Sequence, residues 1–179
     1  LHNQKQLFTF AHRFQYAGSS EEIIEKITEA GIVGMGGATF PTQVKLMPPA
    51  GKKADTLIIN AVECEPYLTS DHRLMLEKGK EIMIGIQLLM KATKVNRVII
   101  GIESNKPDAI ELMTTLSSRT MSVEVCPLKL KYPQGSEKQL IVATTGRDLP
   151  SGQLPIGVGV IVQNVGTAYA VFEAIVKNK

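Results

Sequence analysis

Thr56-Leu57-Ile58-Ile59-Asn60 is a short apolar run with a polar residue at each end, the pattern of a strand buried on both faces. Arg97-Val98-Ile99-Ile100-Gly101-Ile102 repeats it, Met121 to Cys126 supplies a third such run, and Val160-Ile161-Val162-Gln163-Asn164 a fourth. Between them the apolar spacing turns helical. Asp71 to Thr93 reads as one or two helices with Gly79 as the break, Pro107 opens a helix to about Leu116, and Ala168 to Val176 is amphipathic. Strands alternating with helices give an α/β fold: a Rossmann-like, three-layer domain with a mostly parallel sheet of about four strands covered on both faces.

Upstream of the first strand, Ser19-Ser20-Glu21-Glu22 is a capping box, and Ile23, Ile24, Ile27 and Ala30 mark one helical face until Gly31 ends it. Directly after comes Gly34-Met35-Gly36-Gly37-Ala38-Thr39-Phe40-Pro41-Thr42-Gln43-Val44-Lys45. Glycines without Cβ atoms let successive N–H groups approach an anion, while Thr42 and Lys45 add a hydroxyl donor and a positive charge. The ligand so implied carries phosphate. The spacing matches neither G-x-G-x-x-G nor a loop ending in G-K-[ST], so a helix C-cap running into a tight turn is the competing reading.

In a parallel sheet, ligands sit beyond the carboxyl ends of the strands. Asn60 to Glu65, Glu103 to Asn105, Tyr132 to Glu137 and Asn164 to Thr167 all fall there. Glu63 and Glu65 can accept hydrogen bonds from the hydroxyls and amides of a nucleotide, or form a solvated turn. His72, between Asp71 and Arg73, reads as a solvated helix start. Cys64 lies between two glutamates that disfavour its thiolate, so a buried small residue fits it better than a nucleophile. Met83 and Met90 read as core.

Composition narrows the function classes. The 179 residues are 44% hydrophobic and 21% charged, enough for one globular core. Twenty basic against seventeen acidic residues leave a net charge of +3, the basic residues are scattered, and no tryptophan is present, which argues against a nucleic-acid platform. No apolar stretch reaches the ~20 residues of a membrane-spanning helix. Cys64 and Cys126 form no C-x-x-C, so no metal site is expected in this segment, and a reducing compartment is the default. Residues 1–18, with His2 and His12, read as an N-terminal extension and 19–179 as the domain, a fragment of a longer chain.

Taken together, Gly31 to Thr42, Asn60 to Glu77 and Tyr132-Pro133-Gln134-Gly135-Ser136-Glu137-Lys138-Gln139-Leu140 resemble the flavin-binding subunit of respiratory NADH dehydrogenases and its relative, the C subunit of the Rnf ion-translocating electron transport complex. The likeness to the Rnf subunit is the closer and runs from about Ser19 to the C-terminus. It implies an oxidoreductase domain in which FMN takes hydride from NADH, with no side-chain acid or base required. The FMN positions of the family carry over to Gly34, Gly36, Gly37, Lys45, Asn60, Glu63, Gly135, Asn164 and Thr167. Its NADH positions carry over to Phe40, Glu65, Tyr132 and Glu137, with Phe40 and Tyr132 placed for stacking.

The resemblance further implies [4Fe-4S] clusters in a downstream part of the full-length chain, docking on the other membrane subunits of the complex, and a peripheral place on the cytoplasmic face of a bacterial membrane. Met35 stands where the dehydrogenase subunit has arginine, Thr39 where it has glycine, Val62 where it has aspartate and Ser136 where it has glutamate. A related quinone-reductase subunit keeps a similar domain without this flavin site. The alternative is therefore a docking or quinone-linked module, whose crevice side chains at Thr39 and Val62 would block.

Overall fold

The computed structural model describes residues 18–65, 67–118, 120 and 122–179. The proposed N-terminal extension, with His2 and His12, lies outside the described residues, apart from its last residue, Gly18, as do Pro66 and Met121. Four strands, β1 (Thr56–Ala61), β2 (Arg97–Glu103), β3 (Val123–Leu128) and β4 (Val160–Asn164), form one sheet in the order β3-β2-β1-β4. Every pairing is parallel, and Asn60 of β1 stands in register with Gly101 on one side and Asn164 on the other. The α/β fold expected from the strand pattern is the observed one. The third strand runs two residues further than the apolar run suggested, to Leu128, because Ser104 N–H donates to Leu128 O and extends the ladder.

The helices are α1 (Ser20–Glu29), α2 (Thr42–Leu46), α3 (Ser70–Thr93), α4 (Pro107–Ser117), α5 (Glu137–Thr145) and α6 (Val165–Val176), with a 3-10 turn at Pro155–Val158. The capping box of α1 is fully made: Glu22 N–H donates to Ser19 Oγ and Ser19 N–H to the Glu22 carboxylate. Strand side chains alternate between two cores. Leu57, Ile59 and Ala61 pack with Ile100 and Ile102 beneath α1, α3, α4 and α6. Ile58, Val160 and Val162 pack with Leu140 and Ile141 of α5 on the opposite face.

Two glycines of α3 set the helix layer. The break falls at Lys78, which has non-helical dihedrals, one residue before the expected Gly79. A Cβ on Gly79 would stand 2.9 Å from Leu116 Cδ1, so the glycine serves the approach of α4. A Cβ on Gly85 would lie 1.8 Å from Ala168 O, which makes this the point where α3 seats the first turn of α6.

Candidate functional site

The chain order reverses at β1: its crossover leads toward β2 and β3, and β4 returns to its other side. Such a switch point opens a crevice at the carboxyl ends of the two flanking strands. Those ends are Asn60 and Asn164, and they touch: Asn164 Nδ2–H donates to Asn60 O at 3.4 Å and to Asp71 Oδ2 at 2.8 Å. Asn164 also caps α6 by accepting from Gly166 N–H at 2.7 Å.

The glycine loop closes over this point as a small hairpin. Gly34 N–H donates to Phe40 O, Thr42 N–H donates to Ile32 O, and Val33 bridges Pro41. Its near arm is tied to α6 by Met35 N–H donating to Thr167 Oγ1 at 3.0 Å. At the tip, the amides of Gly36, Gly37 and Ala38 donate to no acceptor among the described residues. Gly37 has φ +110 and nothing within 4 Å of the place a Cβ would take, and a Cβ on Gly36 would lie 3.7 Å from Asn164 Cβ. Three unpaired amides facing open space form a concavity for an anion. Thr42 does not contribute its hydroxyl, since its side chain is fully buried with Oγ1 unpaired.

Lys45, on α2, points its ammonium across the crevice to Glu137 Oε1 at 2.6 Å and to Val162 O at 3.3 Å. Next to it, Asn60 Nδ2–H donates to Gly135 O at 2.9 Å, and Asn60 Oδ1 accepts from Val62 N–H. These two links divide the crevice into two cavities. An apolar one of about 330 Å³ is walled by Phe40, Val44, Leu154 and Ile156 with Lys45 and Glu137 on its inner side. The second, of about 480 Å³ and more polar, is walled by Glu63, Glu65, His72, Lys106 and Tyr132.

The sequence-derived residues thus meet around one rim, distributed over both cavities. Gly34, Gly36, Gly37, Asn164 and Thr167 surround the amide concavity, and Lys45, Phe40 and Glu137 belong to the apolar cavity. Asn60 and Gly135 form the seam, while Glu63, Glu65 and Tyr132 line the polar cavity. Thr39, at φ +46, occupies the left-handed region that disfavours a β-branched residue. Val62 does not block the crevice: it is buried against the core under α5.

Glu63 is a more enclosed group than a solvated turn allows. Its Oε1 accepts from Ser70 Oγ and Asp71 N–H, and its Oε2 from His72 N–H and Lys106 Nζ. All four acceptor positions of the carboxylate are filled from within the protein. Burial works against its ionisation, but Lys106 and the two amides of α3 outweigh it and hold the carboxyl below its usual range. Asp71 is pushed the other way, first by burial and then by the nearby Glu63 charge, against the hydrogen bond from Asn164. His72 is half-buried and reaches Asp108 at 2.8 Å, so it is not the solvated helix start that its charged neighbours suggest. Lys106 and Asp71 escaped the sequence reading, because a lysine before a proline and an aspartate at a helix start are ordinary surface signals.

The comparisons with known proteins agree in direction. Residues 27–173 match the family described as the Nuo51 FMN-binding domain. The chain is 54% identical over 157 residues to the C subunit of a proton-translocating ferredoxin:NAD(+) oxidoreductase complex of Clostridium ljungdahlii, and 49% identical to the C subunit of a Na(+)-translocating one of Acetobacterium woodii. Each match covers 88% of this chain, which spans only 34% and 35% of those relatives. Among solved structures, an NAD+-reducing [NiFe]-hydrogenase resembles it with TM-scores of 0.72 in the H2-reduced state, at 25% identity, and 0.73 in the air-oxidized state, at 26%. These matches cover 87% and 95% of this chain and 30% and 31% of the hydrogenase chain.

Proposed function

From the premise that the chain belongs to the Nuo51 FMN-binding domain family, we propose that the crevice between β1 and β4 binds FMN and receives hydride from NADH. The observation that carries this reading is the set of three acceptor-free amides at Gly36, Gly37 and Ala38, facing Asn164 and Thr167 at the switch point. A flavin phosphate fits that concavity, since the glycines leave the space a side chain would fill. Bound there, FMN would supply the two-electron chemistry and release electrons singly.

The protein's part is binding and placement. Gly34, Gly36 and Gly37 shape the phosphate cradle, and Lys45 balances its charge. Asn60, Gly135 and Asn164 line the floor, Thr167 fixes the loop arm, and Glu63 holds the β1–α3 loop that carries the polar wall. Phe40 and Glu137 on the apolar side, with Glu65 and Tyr132 on the polar side, offer stacking and hydroxyl-accepting groups to NADH and exclude water from the transfer. No side chain is asked to move a proton.

In the longer chain that the relatives display, electrons would pass on to iron–sulfur clusters, in a subunit docked on membrane partners at the cytoplasmic face. Among the described residues no group of side chains is arranged to hold a metal ion, and no helix is long and apolar enough to cross a membrane. The Lys45–Glu137 contact across the crevice favours the second reading, a docking or quinone-linked module without flavin. Titration of the purified protein with FMN, following flavin fluorescence and then NADH oxidation, separates the two. Quenching at micromolar FMN is expected; no binding at about 50 µM would refute the flavin reading.

A further inference from the structure

Glu103 ends β2 with its side chain fully buried, and neither carboxylate oxygen accepts a hydrogen bond among the described residues. Buried acceptors without donors are rare enough that each one calls for a physical reason. The nearest cation is Lys106 Nζ, 3.3 Å from Glu103 Oε2 and 2.8 Å from Glu63 Oε2. Lys106 is itself only 7% exposed. One ammonium therefore serves two buried carboxylates, and one negative charge is left over in the wall of the polar cavity.

The backbone builds this trio deliberately close. Lys106 N–H donates to Glu103 O, which folds the end of β2 into a tight turn and brings the two side chains to the same side. Lys106 then leads into α4, whose Ile110 N–H donates to Lys106 O. From that fixed base its ammonium reaches over to β1 and secures Glu63, the carboxylate that also receives the Asp71 and His72 amides at the start of α3.

We propose that Lys106 is a positioning residue for the flavin site, holding Glu63 and Glu103 together beneath the β1–α3 loop, and that the surplus carboxylate of the trio sets the charge felt by the bound ring. This rests on the flavin reading above. Reduction adds negative charge to the ring, so a fixed buried negative charge nearby lowers its potential and a fixed positive charge raises it. Removing Glu103 and removing Lys106 therefore shift the potential in opposite directions, which a purely structural trio does not do.

The test compares the full-length protein with E103Q, K106M and K106R. E103Q is expected to bind FMN within about threefold of the parent and to raise the midpoint potential of the bound flavin. K106M is expected to lower the potential and K106R to restore it. In ligand-free protein, the Asp71 and His72 amides should exchange hydrogen faster in K106M and at the parental rate in K106R. Equal potentials in flavin-loaded E103Q and parent, or unchanged amide exchange in a folded K106M, overturn the proposal. Should K106M fail to fold, the E103Q potential decides. A parent that binds no FMN refutes the flavin reading instead, and the exchange measurement still tells whether Lys106 positions Glu63.

Discussion

Lys45 Nζ and Glu137 Oε1 stand 2.6 Å apart, joining the helix that follows the glycine loop to the first residue of α5. Both side chains are partly exposed, so the pair adds at most about 1 kcal/mol to stability. In the proposed function each has a ligand to serve, and an ammonium engaged by a carboxylate is less available to a phosphate. Glu137→Gln should therefore tighten FMN binding severalfold, leave the melting temperature nearly unchanged, and weaken NADH. Fluorescence titrations with FMN and steady-state KM for NADH measure both arms; looser FMN binding in the variant would contradict the competition.

Gly36→Val places a branched side chain in the concavity beside Asn164. The protein itself has room, since the closest atom to a Cβ there is Asn164 Cβ at 3.7 Å. The expected outcome is a folded protein, by circular dichroism and thermal melting, that retains no FMN on gel filtration. A variant that keeps its flavin would move the phosphate site elsewhere.

Thr39 carries φ +46 at the tip of the loop, where a residue with a Cβ is strained by about 1–2 kcal/mol. Thr39→Gly releases that strain and gives some of it back as chain entropy in the unfolded state. A net rise of a few degrees in melting temperature is expected by scanning calorimetry, without loss of FMN binding.

Asp71 and Glu63 give stability opposite dependences on pH. Burial raises the Asp71 carboxyl above its ordinary value of 3.8, so its favourable contribution is complete below 3.8 and is lost as pH rises through the raised value. Glu63 is lowered from 4.5, so its contribution is present above 4.5 and disappears on acidification. Asp71→Asn stays neutral at every pH and keeps an oxygen for Asn164. The melting temperature of the variant relative to the parent should rise between about pH 3.5 and pH 7. A flat difference would show that Asp71 is not disfavoured as an anion in the fold.

The strands were legible because each is a contiguous apolar run, and α1 because its cap residues and apolar face agree. Helix α5 was not: only Leu140 and Ile141 of its nine residues are buried, too few to mark a face. The site was legible as loop chemistry, since glycines, asparagines and carboxylates at strand ends are visible in a one-dimensional pattern. Its internal wiring was not. Glu63 owes its buried place to Lys106, 43 positions away, and Asn60 owes its orientation to Gly135. Such pairings are created only when the sheet brings the strand ends side by side.

The contact of Gly85 with Ala168 lies behind the sheet rim, yet Ala168 follows directly on Thr167, the hydroxyl that anchors the glycine loop. Any side chain at position 85 would push the start of α6, and the loop arm with it. A random mutagenesis screen scored by colony colour or flavin retention should therefore return hits in the interior of α3, on residues that no bound molecule could ever reach.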